Sequence, residues 1–201
     1  MRRTASNPGP GKLRIIGGRL RGSKLAVPDL PGLRPSPDRV RETLFNWLMP
    51  VIDGARCLDL FAGTGALGIE ALSRGAAWVD FVEADPGLAQ ALRENLARLK
   101  QADASVRCAN ALTLLQAATG PAYDIAFLDP PFSAALWEEA AHGLEANGWL
   151  REGAMIYLEM PAGAPPVLPS TWILHRQSTA GAVRFALYRR SNASAKLSSE
   201  T

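Results

Sequence analysis

A Rossmann-like α/β fold with a mostly parallel sheet is the architecture that the 201 residues predict, and three features of the chain predict it. Short apolar runs alternate with helical patterns from residue 56 to residue 159, as strands joined by crossover helices do. The first run, Cys57-Leu58-Asp59-Leu60, enters a glycine turn, Gly63-Thr64-Gly65-Ala66-Leu67-Gly68, that opens a helix. A later run, Ile125-Ala126-Phe127-Leu128, ends in Asp129-Pro130-Pro131-Phe132, where a buried strand leaves a sheet.

Taken in order, residues 1–11 form a flexible basic tail, with Arg2 and Arg3 followed by Asn7-Pro8-Gly9-Pro10-Gly11. Leu13 to Ile16 and Ser23 to Val27 read as a hairpin, its turn at Gly17-Gly18 or at Arg21-Gly22. Ser36 before Pro37 fits an N-cap followed by proline at the first helical position. Val40, Leu44, Trp47 and Leu48 then share one helical face suited to a core. Arg39, Glu42, Thr43 and Asn46 share another, either solvated or closing over a ligand.

The sheet strands are expected near 56–60, 78–83, 104–108, 124–128 and 154–159, with helices near 66–74, 86–100, 110–117 and 134–146. Gly120-Pro121 breaks the chain before the fourth of these strands, and Asn147-Gly148 ends the fourth helix. After a loop from Pro161 to Pro169, two late strands near 172–178 and 182–189 form a hairpin around Ala180-Gly181, adding an antiparallel C-terminal strand. Hence residues 12–50 make a hairpin-and-helix extension, 51–190 one α/β domain, and 191–201 a disordered tail.

Composition narrows the class of protein. An apolar fraction of 47% supports a full core, and no run approaches the roughly 20 apolar residues that a membrane span needs. The N-terminus lacks an apolar signal region, so a cytoplasmic protein is expected. Cys57 and Cys108 read as buried small hydrophobes, and His142 and His175 have no partners at metal-ligand spacing, so no metal is expected. Charge is unevenly placed. Residues 1–50 carry ten Lys or Arg against three acids, and residues 51–201 twelve against sixteen. A basic front on a near-neutral body suits a phosphate backbone, although basic arms also occur simply as solvated tails. Arg14, Arg19, Arg21 and Lys24 on the ordered hairpin are the better nucleic-acid candidates.

The glycine turn and the proline tetrapeptide carry the chemistry. Gly63 and Gly65 let the backbone turn tightly against a ligand, and Gly68 lets the helix pack closely on the strand. Glu83 lies 20 residues after Gly63 at the end of the next apolar run, where a carboxylate meets a ribose diol. A nicotinamide dinucleotide and S-adenosylmethionine (SAM) both fit these features. Asp59 at the strand end favours SAM, since a carboxylate there attracts an ammonium and repels a pyrophosphate. In Asp129-Pro130-Pro131-Phe132, proline biases each preceding residue away from the helical region and neither proline has an N–H. The Asp129 carboxylate and a nearby carbonyl can therefore point into a cleft, with Phe132 as a stacking face for a planar base bearing an exocyclic amine.

Asp59 to Gly68, Glu83 and Asp129 to Phe132, in that order, resemble SAM-dependent methyltransferases acting on exocyclic amines. With Arg34-Pro35, Asp38 to Leu48, the Ile16-Gly17-Gly18 hairpin and the closing Trp172 to Tyr188 segment, the chain is similar to the bacterial 16S rRNA guanine-N2 methyltransferases from about Lys12 to Arg190. Ser36 stands where the family pattern has threonine and keeps the hydroxyl.

The resemblance implies that SAM is the methyl donor and that 16S rRNA, within an assembled small subunit, is the acceptor. Asp129 and the Pro130 carbonyl would hold the amine, Pro131 and Phe132 the flipped base, and Glu83 the ribose hydroxyls. Phe61 falls within the cofactor turn, and Asn110-Ala111 would lie near the adenine, with Arg39 and Asn46 further candidates for that pocket. Whether Asp129 also takes the released proton stays open. The competing readings are an adenine-N6 methyltransferase, which usually carries a target-recognition region for which 201 residues leave no room. A protein-glutamine methyltransferase, whose tetrapeptide starts with Asn and ends with Tyr, and a non-catalytic RNA-binding module complete them. Nothing demands more than a monomer.

Overall fold

The computed structural model describes residues 12–27, 37–117, 122–132, 135–163 and 165–191. Arg34-Pro35, Ser36, Gly120-Pro121 and both expected tails, apart from Ser191, lie outside these residues.

Seven strands form one sheet in the order β5 (Ala104–Cys108), β4 (Trp78–Glu83), β3 (Arg56–Asp59), β6 (Tyr123–Leu128), β7 (Leu150–Pro161), β9 (Val183–Arg190), β8 (Trp172–Ala180). The pairs β3·β4, β4·β5, β3·β6 and β6·β7 are parallel, and β9 alone runs against its neighbours, between β7 and β8. The order reverses at β3, so a crevice opens beyond the carboxyl ends of β3 and β6. The apolar runs are nearly continuous because both faces are covered. Helices α1 (Asp38–Leu48), α2 (Ala66–Ser73) and α3 (Pro86–Arg98) cover one face, and α4 (Ala111–Gln116) and α5 (Trp137–Ala146) the other.

The hairpin of β1 (Lys12–Arg14) and β2 (Lys24–Ala26) contributes Leu13, Ile15, Leu25 and Val27 to the same buried cluster as α1, α2 and the sheet. Its anchor is Glu70, which is fully buried on α2. One carboxylate oxygen accepts from the Ile16 amide, the other from the Gly17 amide and from Arg74 Nε, at 2.7–2.8 Å. The Gly17-Gly18 pair exists for this contact rather than for a simple hairpin turn. A Cβ at Gly17 would come within 2.5 Å of Arg74 Nη2, and one at Gly18 (φ +71°) within 1.9 Å of the Ser73 carbonyl. The chain reverses over the whole of 16–22, with a second positive φ at Gly22, so neither expected turn position acts alone.

Helix α1 begins one residue later than expected. Pro37 is extended (ψ 145°) and is the cap residue, and its carbonyl accepts from Val40 and Arg41. Val40, Leu44 and Leu48 are buried, and Trp47 stacks half-buried on Phe185 at 5.4 Å. Arg41 and Phe45 are also fully buried, which the sequence pattern did not assign. Arg41 reaches the Arg14 carbonyl (3.0 Å) and Asp38 (2.6 Å) and lies 3.9 Å from Glu70.

Three smaller corrections follow from packing. Cys57 is buried, but Cys108 is exposed, because β5 is an edge strand. Strand β7 starts at Leu150 rather than 154, since Gly153 (φ +76°) sits in a register shift of the β6·β7 pair instead of ending the strand. Helix α5 starts at Trp137 rather than 134. His142 and His175 are exposed, and among the described residues no helix is long and apolar enough to cross a membrane.

Candidate functional site

The carboxyl ends of β3, β4 and β6 bring the two sequence motifs together. Strand register sets Phe81, Asp59, Phe127 and Tyr157 side by side in one row across the sheet. Two residues further along lie Glu83 at the end of β4, Asp129 just past β6 and Glu159 on β7, at the mouth of the crevice. The Leu60 amide donates to the Phe127 carbonyl, which ties the start of the glycine turn to the strand that delivers Asp129.

The glycine turn is shaped as its residue types require. Gly63 (φ +51°) and Gly65 (φ +76°) adopt left-handed conformations that favour glycine. A Cβ at Gly65 would strike Leu92 at 2.3 Å, and one at Gly68 would strike the Phe81 ring at 2.2 Å. Gly68 thus lets α2 lie closely on the sheet, against β4 beside the strand that enters the turn. Glu83 braces the turn, accepting from the Gly63 amide (2.7 Å) and from the Asp85 amide (2.8 Å). Each carboxylate oxygen keeps a second lone pair for a ligand hydroxyl.

Asp59 is 2% exposed, and its Oδ2 accepts from the Gly68 amide at 3.0 Å in the first turn of α2. Burial pushes its carboxyl up to about 7, the Gly68 amide pulls back, and the charge of Glu83 adds to the rise. Two carboxylates, Asp59 and Glu83, thus stand close together at this edge, each held by backbone amides. A pyrophosphate is disfavoured here, and a sulfonium carrying an ammonium is suited. The donor and acceptor set therefore fits SAM. Asn110 follows β5, is exposed and caps α4 through the Thr113 amide (3.1 Å), while Ala111 is buried beneath it. Phe61 is half-buried against the second core cluster.

On the acceptor side, Asp129 is half-buried, Pro130 buried and Pro131 exposed. The Phe132 ring is 42% exposed and tilts against Trp137 at 5.7 Å. Two neighbours were not singled out from the sequence. Glu159 is buried and accepts from the Tyr157 hydroxyl at 3.0 Å, and its carbonyl accepts from Trp137 Nε1 at 2.7 Å. Burial first, and then the charges of Glu159 and Asp129, push the Tyr157 phenol well above its ordinary value, so it stays a donor. The signal available in the sequence was the parallel pairing of two apolar runs, each followed by an acid.

The basic hairpin divides. Arg14, Arg21 and Lys24 are exposed, and no ion pair involves their side chains among the described residues. Arg19 instead donates to Gln101 Oε1 (2.6 Å) and the Leu72 carbonyl (3.4 Å), so it fastens the hairpin to the body. Arg39 and Asn46 are exposed on α1.

A seven-stranded sheet of this order, with a glycine turn and Asp-Pro-Pro-Phe at its switch point, defines a methyltransferase of the Rossmann-like class. The chain belongs to the family described as "Conserved hypothetical protein 95", whose model matches residues 13–189. It is 53% identical to Ribosomal RNA small subunit methyltransferase D of Escherichia coli K12 over 186 residues, covering 92% of this chain and 93% of that protein. The Haemophilus influenzae protein of the same name is 46% identical, over 89% of this chain and 94% of its own length. Among solved structures, a putative methyltransferase of Escherichia coli superposes with a TM-score of 0.84 at 53% identity, covering 90% of this chain and 99% of that one.

Proposed function

We propose that the protein transfers a methyl group from SAM to the exocyclic N2 of a guanine in the 16S rRNA of the small ribosomal subunit. The observation that carries this reading is the position of Asp129 to Phe132 at the end of β6, beside the glycine turn that follows β3. The 53% identity to a small-subunit rRNA methyltransferase supports the substrate class.

A guanine amine is a weak nucleophile because its lone pair is delocalised into the ring. Accepting its hydrogens at the Asp129 carboxylate and the Pro130 carbonyl lets the nitrogen become tetrahedral and aims its lone pair along the line of attack. SAM, when bound, supplies an electrophilic methyl on a sulfonium whose departure leaves a neutral thioether. As the N–C bond forms and the C–S bond breaks, N2 loses one proton to Asp129 or to water. The chain's contribution is alignment and charge placement. Phe132, backed by Trp137, holds the base after it leaves its stack. Glu83 binds the ribose hydroxyls, Asp59 faces the cationic end of the donor, and Asn110-Ala111 borders the adenine. Arg14, Arg21 and Lys24 track phosphates, on a hairpin-and-helix extension of residues 12–50 joined to the catalytic body.

The test offers labelled SAM with free 16S rRNA, assembled small subunits and duplex DNA, followed by nucleoside analysis of the product. N2-methylguanosine in the small-subunit rRNA is the expected product. Transfer to DNA alone, or N6-methyladenosine as product, overturns the reading.

A further inference from the structure

The tetrapeptide alone does not distinguish guanine from adenine, but a second carboxylate, Glu159, stands beside it at the crevice. Leu128, the last residue of β6, pairs with Leu158 of β7, so Asp129 follows directly beside Glu159, which is still within β7. Glu159 follows Tyr157 on the same side of β7, and the Tyr157 hydroxyl fixes its Oε2 at 3.0 Å. The Trp137 indole fastens the Glu159 backbone and also abuts the Phe132 ring, so the stacking platform and this carboxylate share one support.

A base flipped onto Phe132 is read on its Watson–Crick edge. On guanine that edge presents the N1–H and the N2 amine as adjacent donors. On adenine, N1 carries a lone pair instead. We infer that Glu159 is the specificity-determining acceptor for guanine N1–H, set beside Asp129, which accepts from the N2 amine. A carboxylate facing N1 attracts guanine and repels adenine, and this selects the base independently of the methyl-transfer machinery. The assignment rests on the proposed guanine-N2 activity.

The test uses the full-length protein and small subunits reconstituted with either guanine or 2-aminopurine at the target nucleotide. 2-Aminopurine keeps the amine and lacks the N1 hydrogen. The wild type is expected to prefer guanine on the order of 100-fold in kcat/KM, the scale of discrimination by one well-placed hydrogen-bonding group. Glu159→Gln still accepts from Tyr157 but can also donate to a bare N1, so the guanine preference should fall at least about tenfold while SAM affinity is kept. Tyr157→Phe keeps the carboxylate and removes the hydroxyl that fixes it. It should lower the preference less, and it gives the answer should Glu159→Gln fail to fold. An unchanged preference in folded Glu159→Gln, with activity on both bases lost equally, overturns the role of Glu159 while leaving guanine-N2 methylation standing. A wild type that methylates no guanine N2 overturns both.

Discussion

Two buried carboxylates in the same sheet, Asp80 and Asp59, have opposite surroundings. Asp80, in the N-terminal half of β4 and 3% exposed, is saturated by hydroxyls of Ser105 and Tyr123 (2.7 Å for the latter) and by Arg56 (3.1 Å). Burial alone would raise its carboxyl, but these donors and the Arg56 charge hold it below its ordinary value. Asp59, at the carboxyl end of β3, has one amide donor and the charge of Glu83 nearby, and it is pushed up to about 7. The sheet satisfies a carboxylate where it only needs to hold together. At the crevice it leaves Asp59 with a single amide donor and the charge of Glu83 beside it.

The largest effect should come from the crevice edge itself. Asp129→Ala should lower methyl transfer by at least about 10³-fold, a scale set by losing both alignment and charge stabilisation. SAM affinity by calorimetry should stay within about threefold if, as proposed, Asp129 serves the acceptor. A parallel loss of affinity would move Asp129 to the cofactor side and blur the division.

Asp59→Asn should weaken SAM binding about tenfold at pH 8, the scale of one charge-assisted hydrogen bond. Wild-type affinity should rise with pH through about 7, as the carboxyl ionises to meet the cation, and the Asn variant should be flat. The stability effect has the opposite sign. The folded value lies above the unfolded 3.8, so the folded state holds this proton more tightly. That contribution is full below about 3.8 and is lost as pH rises through about 7. Between pH 5 and 8 the ligand-free wild type should therefore lose more Tm than Asp59→Asn. Equal pH profiles for the two proteins would place Asp59 with Asp80.

Asp80→Ala should show the reverse pattern, costing about 3 kcal/mol, or roughly 6–12 °C in Tm, by stranding buried donors. SAM affinity measured well below the melting temperature should be unchanged, and a changed affinity would break the contrast between the two ends of the sheet. The smallest effects belong to the surface. Replacing Arg14, Arg21 and Lys24 with Gln should weaken RNA binding and flatten the slope of log affinity against log salt by up to about three units. Arg19→Gln should act mainly on Tm, because its guanidinium is committed to Gln101 and Leu72.

Much of this was legible in the chain. The five core strands emerged within a few residues of their expected places because each is a short apolar run bounded by turn residues. Gly63, Gly65 and Gly68 announced a tight turn and a close helix–strand approach, and the structure has both. Arg41, Glu70 and Glu159 were not legible. A charged residue in a helix or at a strand end reads as solvated unless its partners are known, and besides the nearby Asp38 and Arg74 the first two have partners 27, 53 and 54 residues away. Cys108 misled for the related reason that an edge strand and a central strand have similar apolar patterns.

The sequence by itself determined the order of elements, the glycine turn and the proline-rich loop from Asp129 to Phe132 at a strand end, because these depend on local propensity and short spacings. Tertiary structure alone decided that Asp80 is saturated by side-chain donors while Asp59 has one amide. Ionisation and donor count depend on burial and on neighbours across strands, and register between β3, β4, β6 and β7 sets those neighbours.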